Sequence, residues 1–259
     1  NIEVTLHNYG AVNISTCTIQ WSVDGILQTP YSYAGTLTPG SDESVIIGNY
    51  SFNAGTYSIV AYSENPNGNT DADNSNDTSG TSVSTQLSGT YTLGGTTPDY
   101  ADFSTAVNDL NNFGICGAVI FNVRAGTYNE KLVINQIAGA SATNTITFQS
   151  ETADSSTVIL NTPSVDSTLA NNYLIRLNGT DYLTLKQITL SRSGISSNAR
   201  ILDYTQVASF NIIANCHLLG VNNGITANSL GALVYSSGGT PFNDSMNTFS
   251  DNLFENGSI

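Results

Sequence analysis

The stretch from Asp99 to Ser150 constrains the fold of this chain more than any other. It reads as one short amphipathic helix followed by apolar strands with Gly- and Asn-rich corners. Phe103, Ala106, Val107 and Leu110 fall at i, i+3, i+4 and i+7, a single apolar stripe. Asp99 or Asp102 can cap its start, and Gly114 suits its end. A helix that plugs one end, with strands stacked on it turn after turn, is how a right-handed parallel β-helix begins. An open first turn would expose strand edges and an apolar cross-section. The alternative is a surface helix of an α+β domain, but nothing later in the chain reads as another helix.

Charge narrows the partners. The chain carries 6 Lys and Arg against 20 Asp and Glu, a net charge of −14. All six bases lie at or after Arg124, so the first 123 residues hold eleven carboxylates and no Lys or Arg. Such a surface repels phosphate backbones and offers nothing to an anionic membrane. It suits divalent cations, neutral glycans or basic partners. No apolar run is long enough for a transmembrane helix. Abundant Thr, Ser, Asn and Tyr with scarce Lys points to an extracellular location. The chain opens in mid-strand and stops in mid-repeat, so we expect a piece of a longer secreted protein with further domains at both ends. Three cysteines, Cys17, Cys116 and Cys216, show no metal-ligand spacing and read as small buried apolar residues, with a Cys116–Cys216 bridge as the alternative.

Residues 1–80 alternate apolar and polar in short strands every 8 to 12 residues, without a helix, as in a small antiparallel Ig-like sandwich. Asp24-Gly25 is a hairpin dipeptide; Thr38-Pro39-Gly40 and Ala54-Gly55 mark further turns. Ile19, Trp21, Val23, Tyr57, Ile59 and Val60 are the expected core. Residues 65–90, rich in Asn, Asp, Ser, Thr and Gly, read as a linker in which Val83 and Leu87 extend into a short strand. Residues 81–98 are assigned to the linker and a first strand, and 99–259 to the cap and first turns of the coil.

The first segment resembles the CARDB family of bacterial cell-adhesion-related sandwich domains. The carrying residues are Asn8-Tyr9-Gly10, Val23-Asp24-Gly25, Leu37-Thr38-Pro39-Gly40 and Gly55-Thr56-Tyr57. The family's usual first strand is absent upstream of Ile2, which implies an edge either left open or filled by preceding chain. From Tyr91 the chain resembles surface β-helix proteins of the pectate-lyase-like superfamily, a type common in Bacteroidetes proteins exported by type IX secretion. Here the carrying residues include Ala125-Gly126-Thr127-Tyr128-Asn129-Glu130 and the motifs beginning at Tyr182, Phe210 and Asn247. In those motifs Leu185, Ile212 and Phe249 align. Three residues on, Asn215 and Asn252 align and could stack as an amide ladder. Residues 230–244 form a candidate loop on one face.

Candidate chemistry is thin. A lyase of this fold needs calcium-binding carboxylates, a base and further cations, and only Arg176, Lys186, Arg192 and Arg200 lie in the coil past its first two strands. A net −14 surface would repel polyuronate. A glycosidase needs two carboxylates about 5 to 9.5 Å apart, for which Asp181, Asp203, Asp244, Asp251 and Glu255 are candidates. Asp203 can pair with Arg200. His7 and His217 are the only histidines; strand alternation separates His217 from Cys216. Asp71, Asp73 and Asp77 are the best metal ligands, an oxygen-only set suited to calcium that lacks the Gly and Glu of an EF-hand. Tyr31, Tyr33, Tyr50, Tyr173, Tyr182, Tyr204 and Tyr235 are candidates for sugar stacking, or for half-buried packing. Ice binding would need a repeating flat Thr array that Thr143, Thr145 and Thr147 do not supply.

The sequence therefore predicts an all-β chain, a small antiparallel Ig-like sandwich followed by a helix-capped right-handed parallel β-helix. The expected role is structural and adhesive, a stiff stalk or display surface on a secreted or cell-surface bacterial protein that contacts neutral glycans or surface proteins. The alternative is polysaccharide binding or cleavage with the active turns beyond Ile259.

Overall fold

The computed structural model describes residues 1–53, 55–71, 73–163, 171–194, 198–222, 231–236 and 244–257. The chain divides into two compact units, Asn1–Thr85 and Gln86–Ile259.

The first unit is built from β1 (Ile2–His7), β2 (Ile14–Val23), β3 (Ile26–Leu27), β4 (Tyr31–Leu37), β5 (Asp42–Gly48), β6 (Gly55–Glu64) and β7 (Thr78–Thr85). β1 pairs with β5 in one antiparallel layer; β2 pairs with β3, β4 and β6, and β7 pairs with β6, in the other. The two-residue turn between Val23 and Ile26 works because Asp24 and Gly25 both take left-handed backbone, φ 48° and 79°. Strict alternation on β2 buries Cys17, Ile19, Trp21 and Val23. They close a core with Ile2, Leu6, Tyr33, Leu37, Val45, Ile47, Ile59 and Ala61. Tyr57 and Val60, expected there, are half-buried; Val60 alternates with Ile59 and so faces the other way. The segment read as a linker holds a full strand. Thr78 to Thr85 pairs residue by residue with Tyr62 to Gly55. Its single apolar residue, Val83, hid it from a hydrophobic reading. Ala54, of the expected Ala54-Gly55 turn, lies outside the described residues.

The second unit opens with β8 (Leu87–Leu93) and α1 (Phe103–Phe113), then coils. The first turn supplies β9 (Ile115–Val123), β10 (Gly126–Asn129) and β11 (Leu132–Asn135). The second supplies β12 (Ile146–Ser150), β13 (Val158–Pro163) and β14 (Ile175–Asn178). The third supplies β15 (Leu183–Lys186), β16 (Thr189–Ser193) and β17 (Leu202–Thr205), and the fourth β18 (Ile212–Ala214), β19 (His217–Leu219) and β20 (Val234–Ser236). β21 (Thr248–Ser250) and β22 (Leu253–Glu255) follow. Corresponding strands of successive turns pair in parallel, giving three sheets: β8-β9-β12-β15-β18-β21, β10-β13-β16-β19-β22 and β11-β14-β17-β20. This is the parallel β-helix expected from the sequence.

The helix is the plug. Phe103, Ala106, Val107 and Leu110 are all buried, as their spacing requires. Asp102, not Asp99, caps it: its carboxylate accepts the Thr105 N–H at 2.8 Å. Glu130, just past β10, adds a second carboxylate, accepting from Phe103 N at 3.2 Å and Ser104 N at 2.6 Å. The helix start is thereby tied to the first turn of the coil. Phe148 stacks on both Phe103 of the helix and Phe121 of β9, with centroids 5.5 and 4.4 Å away.

Turn lengths alternate. Paired residues of the first sheet are separated by 27, 37, 28 and 36 positions. Leu185 therefore pairs with Ile213, not with Ile212, and Ile213 with Phe249. Asn252 consequently stands over Cys216 rather than Asn215. It makes no amide–amide rung; it accepts the Cys216 N–H and donates to the Ile213 carbonyl, both at 2.8 Å. Asn211 and Asn247 do the same at the preceding corner. Side-chain amide rungs occur elsewhere, between Asn129 and Asn161 and between Asn135 and Asn178, each at 3.0 Å. Among the described residues no helix is long and apolar enough to cross a membrane.

Candidate functional site

The third sheet, β11-β14-β17-β20, carries the densest polar chemistry. Register places Val133, Arg176, Asp203 and Tyr235 side by side on successive strands. Asp203 is 1% exposed, although strand alternation turns it away from the coil interior where Leu202 packs. The Arg176 Nε and Nη2 both lie 2.7 Å from Asp203 Oδ2, and Arg200 Nη1 lies 3.4 Å from Oδ1. The expected Arg200 pairing is thus present but secondary. Two guanidiniums contact this carboxylate, one at each oxygen.

Aromatic faces complete the cluster. The Arg176 guanidinium lies 4.1 Å, and the Lys131 ammonium 5.0 Å, from the centroid of the Tyr173 ring. The Arg200 guanidinium sits 3.3 Å from the Tyr235 centroid. Arg192 Nη1 donates to the Tyr173 carbonyl at 2.7 Å and Nη2 to the Asn198 carbonyl at 2.9 Å, fixing the backbone behind the ring. Four of the chain's six bases thus converge on Tyr173 and Asp203. Lys131 is exposed and has no carboxylate partner among the described residues. Arg176 keeps about a fifth of its side-chain surface in solvent.

The other sequence candidates are spread along the coil. Asp181 accepts the Ser209 N–H at 2.7 Å and Asp244 the Ala208 N–H at 2.9 Å, so both brace corners between turns. Glu255 pairs with His217 at 2.8 Å, and His7 with Asp42 at 2.6 Å. Cys216 is buried beneath His217, and burial pushes its thiol up to about 11. Cys17 is likewise buried and raised to about 11. Cys116 is exposed, contrary to expectation, and all three cysteines are free. Tyr33 is buried against Glu43, Tyr50 packs on Phe52, Tyr204 is buried, and Tyr182 stacks on Phe210 with centroids 5.0 Å apart. Of the candidate loop, residue 230 and residues 237–243 lie outside the described residues.

The acidic run in the first unit, from which Ala72 is excluded as undescribed, folds on itself. Asp71 accepts the Asp73 N–H, and Asp73 accepts the Ser75 N–H, each at 3.0 Å. The Ser75 hydroxyl, at 2.6 Å, and then the Ser75 N–H hold the Asp73 carboxyl below its ordinary range. Asp77 is raised, first by burial and then by the charge of Asp71. Among the described residues no three His, Cys, Asp or Glu side chains are grouped closely enough to share a metal ion.

No family model matches the chain, and no curated protein sequence does. Solved structures do. One is the CARDB domain of a Pyrococcus furiosus protein in complex with di-metal ions, at 20% identity over 32% of this chain and 73% of that one, TM-score 0.28. Another is pectin methylesterase from Aspergillus niger in deglycosylated form, at 17% identity over 66% of this chain and TM-score 0.42. The chain spans 57% of that enzyme's length. The same enzyme in penultimately deglycosylated form gives 16% identity over 68% of each chain, TM-score 0.42.

Proposed function

We propose that this chain is a binding and display region of a secreted or cell-surface protein. In this reading the β-helix is a stiff scaffold whose third sheet presents a cationic patch, seated on a buried tyrosine ring, to an acidic glycan. The observation that carries the reading is the placement of Lys131 and Arg176 over the one ring of Tyr173. Two cations share one aromatic ring, and the nearby carboxylate, Asp203, is already contacted by guanidiniums. Net charge argued against acidic sugars, but net charge is a long-range average. At contact distance the local excess decides, because ionic strength screens the distant carboxylates within about 8 Å. Planar guanidinium suits carboxylate, and the Tyr173 ring, itself buried, seats the two cations by cation–π contact rather than meeting the sugar.

Support for a non-catalytic role comes from the same cluster. A nucleophile or general base must reach its substrate, and Asp203 is 1% exposed, with Arg176 at one oxygen and Arg200 at the other. Calcium belongs to this proposal as a stiffener of the first unit: Asp71, Asp73 and Asp77, not grouped around a common point in this structure, would have to draw together on the ion, and a rise in melting temperature with calcium tests this.

A glycan array probed with and without calcium, followed by product analysis of each hit, tests the reading. Binding to uronic-acid or sulfated glycans without cleavage is expected, and Lys131→Ala with Arg176→Gln should abolish it. Cleavage of any hit overturns the display role. Binding to neutral glycans alone, unaffected by the two substitutions, overturns the assignment of the patch.

A further inference from the structure

We propose that the open edge of β1 in the first unit is a docking groove for an extended segment of another polypeptide, one whose side chains alternate apolar and basic. The argument begins with an imbalance of layers. One layer holds only β1 and β5, while the facing layer runs from β4 and β3 through β2 and β6 to β7. Among the described residues β1 pairs on one side alone. Asn8, just beyond it, both accepts from Gly40 N–H and donates to Ser41 C=O on the β5 side, at 2.8 and 3.1 Å. Backbone alternation then turns the N–H and C=O groups of Thr5 and His7 to the opposite, unpaired edge. Such an edge is a template for a further strand.

Beside that edge lies a groove of about 670 Å³. Leu6, Cys17, Ile19 and Ala61 reach it from the sandwich core, and Asp71 and Asp77 line its far side with Asp73. An entering strand would add its apolar side chains to this floor on one face. Its alternate side chains would meet the acidic side. No Lys or Arg occurs anywhere in residues 1–123 to neutralise those carboxylates, and burial and mutual repulsion already hold the Asp77 carboxyl above its ordinary range. A strand bearing Lys or Arg at every second position relieves that repulsion; one bearing Asp or Glu compounds it. β1 is six residues long, so an occupant of about eight residues covers it at roughly 3.3 Å per residue.

Calorimetric titration of the 259-residue chain with capped octapeptides tests this. One peptide alternates Val and Lys, a second alternates Val and Glu, and a third is the Val/Lys peptide with alternate amides N-methylated. The Val/Lys peptide should bind one to one, at least tenfold more tightly than either other. A Thr5→Pro variant, which removes one donor from the open edge alone, should lose tenfold or more. An Asp71→Asn, Asp73→Asn, Asp77→Asn variant should erase the preference for Lys over Glu. Equal affinity for the Lys and Glu peptides, indifference to N-methylation, or absence of binding overturns the proposal. So does a dimer in light scattering that Val/Lys peptide fails to dissociate, since the groove would then belong to a second copy. The N-methylated peptide keeps the test decisive should Thr5→Pro fail to fold.

Discussion

Arg176 and Asp203 stand opposite one another on adjacent parallel strands, with two guanidinium nitrogens 2.7 Å from one buried carboxylate oxygen. The pair lies away from the coil interior, yet Asp203 is almost wholly shielded from water. Removing one partner leaves an uncompensated charge in a dry place, whereas removing both does not. Asp203→Ala should therefore destabilise the second unit by about 3–5 kcal/mol in urea unfolding. Arg176→Met with Asp203→Leu should recover part of that loss. A double substitution as damaging as the sum of the singles would show that the two residues do not act as a pair.

The helix plug should be sensitive at two carboxylates rather than one. Asp102→Ala removes the cap at Thr105 and should lower stability by about 1 kcal/mol. Glu130→Ala removes the acceptor of the Phe103 and Ser104 amides, and should do comparable damage although it lies 26 residues from Ser104. Chemical denaturation of each variant checks both figures; wild-type stability in Glu130→Ala would refute the tie.

That second carboxylate shows where legibility stops. The helix stripe, the Asp24-Gly25 hairpin and the stacked apolar strands follow from spacing that is local in sequence. Glu130 sat in a recognisable motif, Ala125 to Glu130, but nothing local says that its carboxylate reaches back to a helix start. The Lys131, Tyr173 and Arg176 cluster was out of reach for a related reason. Turns of unequal length separate those residues, and only the register brings them together. One position of error in that register, Leu185 against Ile212 rather than Ile213, moved Asn252 from a backbone bond to an imagined amide ladder. Sequence marks β7 only as a short strand at Val83, because the apolar alternation that betrays a strand is carried there by that residue alone.

Thiol reactivity should divide the cysteines one against two. Cys116 is exposed, while Cys17 and Cys216 are buried with thiols raised to about 11. The thiolate is the reactive species. Iodoacetamide at pH 8 should label Cys116 alone in the folded chain and all three in denaturant, read by mass spectrometry of digests. Labelling of Cys216 in the folded chain would mean that the corner braced by Asn252 opens.

Acid should loosen the entry to the coil. The backbone N–H of Thr92 and then its hydroxyl hold the Asp99 carboxyl below its ordinary range, at 2.7 and 2.8 Å. A depressed folded-state value contributes stability that is fully present above the unfolded value, about 3.9, and is lost as pH falls through the folded one. Wild type should thus exceed Asp99→Asn in melting temperature at pH 6, with the gap closing as pH falls below the aspartate range. Asp109 works in the opposite sense: burial raises it despite the Tyr100 hydroxyl, so its protonation partly offsets the loss. A gap that stays constant with pH would show that Asp99 contributes by shape, not by charge.

The Phe103, Phe148 and Phe121 stack should be the least replaceable packing in the second unit. Phe148 is 1% exposed and lies between a helix ring and a strand ring, with centroids 5.5 and 4.4 Å away. Truncation leaves a void that neither neighbour can fill without leaving its own strand or helix, so the loss includes a cavity contribution beyond transfer. Phe148→Ala should lower stability by about 3–5 kcal/mol, and Phe148→Leu by less, because most of the volume is kept. The chain's one tryptophan, Trp21, is buried in the core of the first unit. Its fluorescence therefore follows that sandwich, while far-ultraviolet dichroism follows both units. In urea the Phe148→Ala dichroism transition should shift to lower concentration with the Trp21 transition unmoved. A matching shift in Trp21 would show that the two units unfold as one.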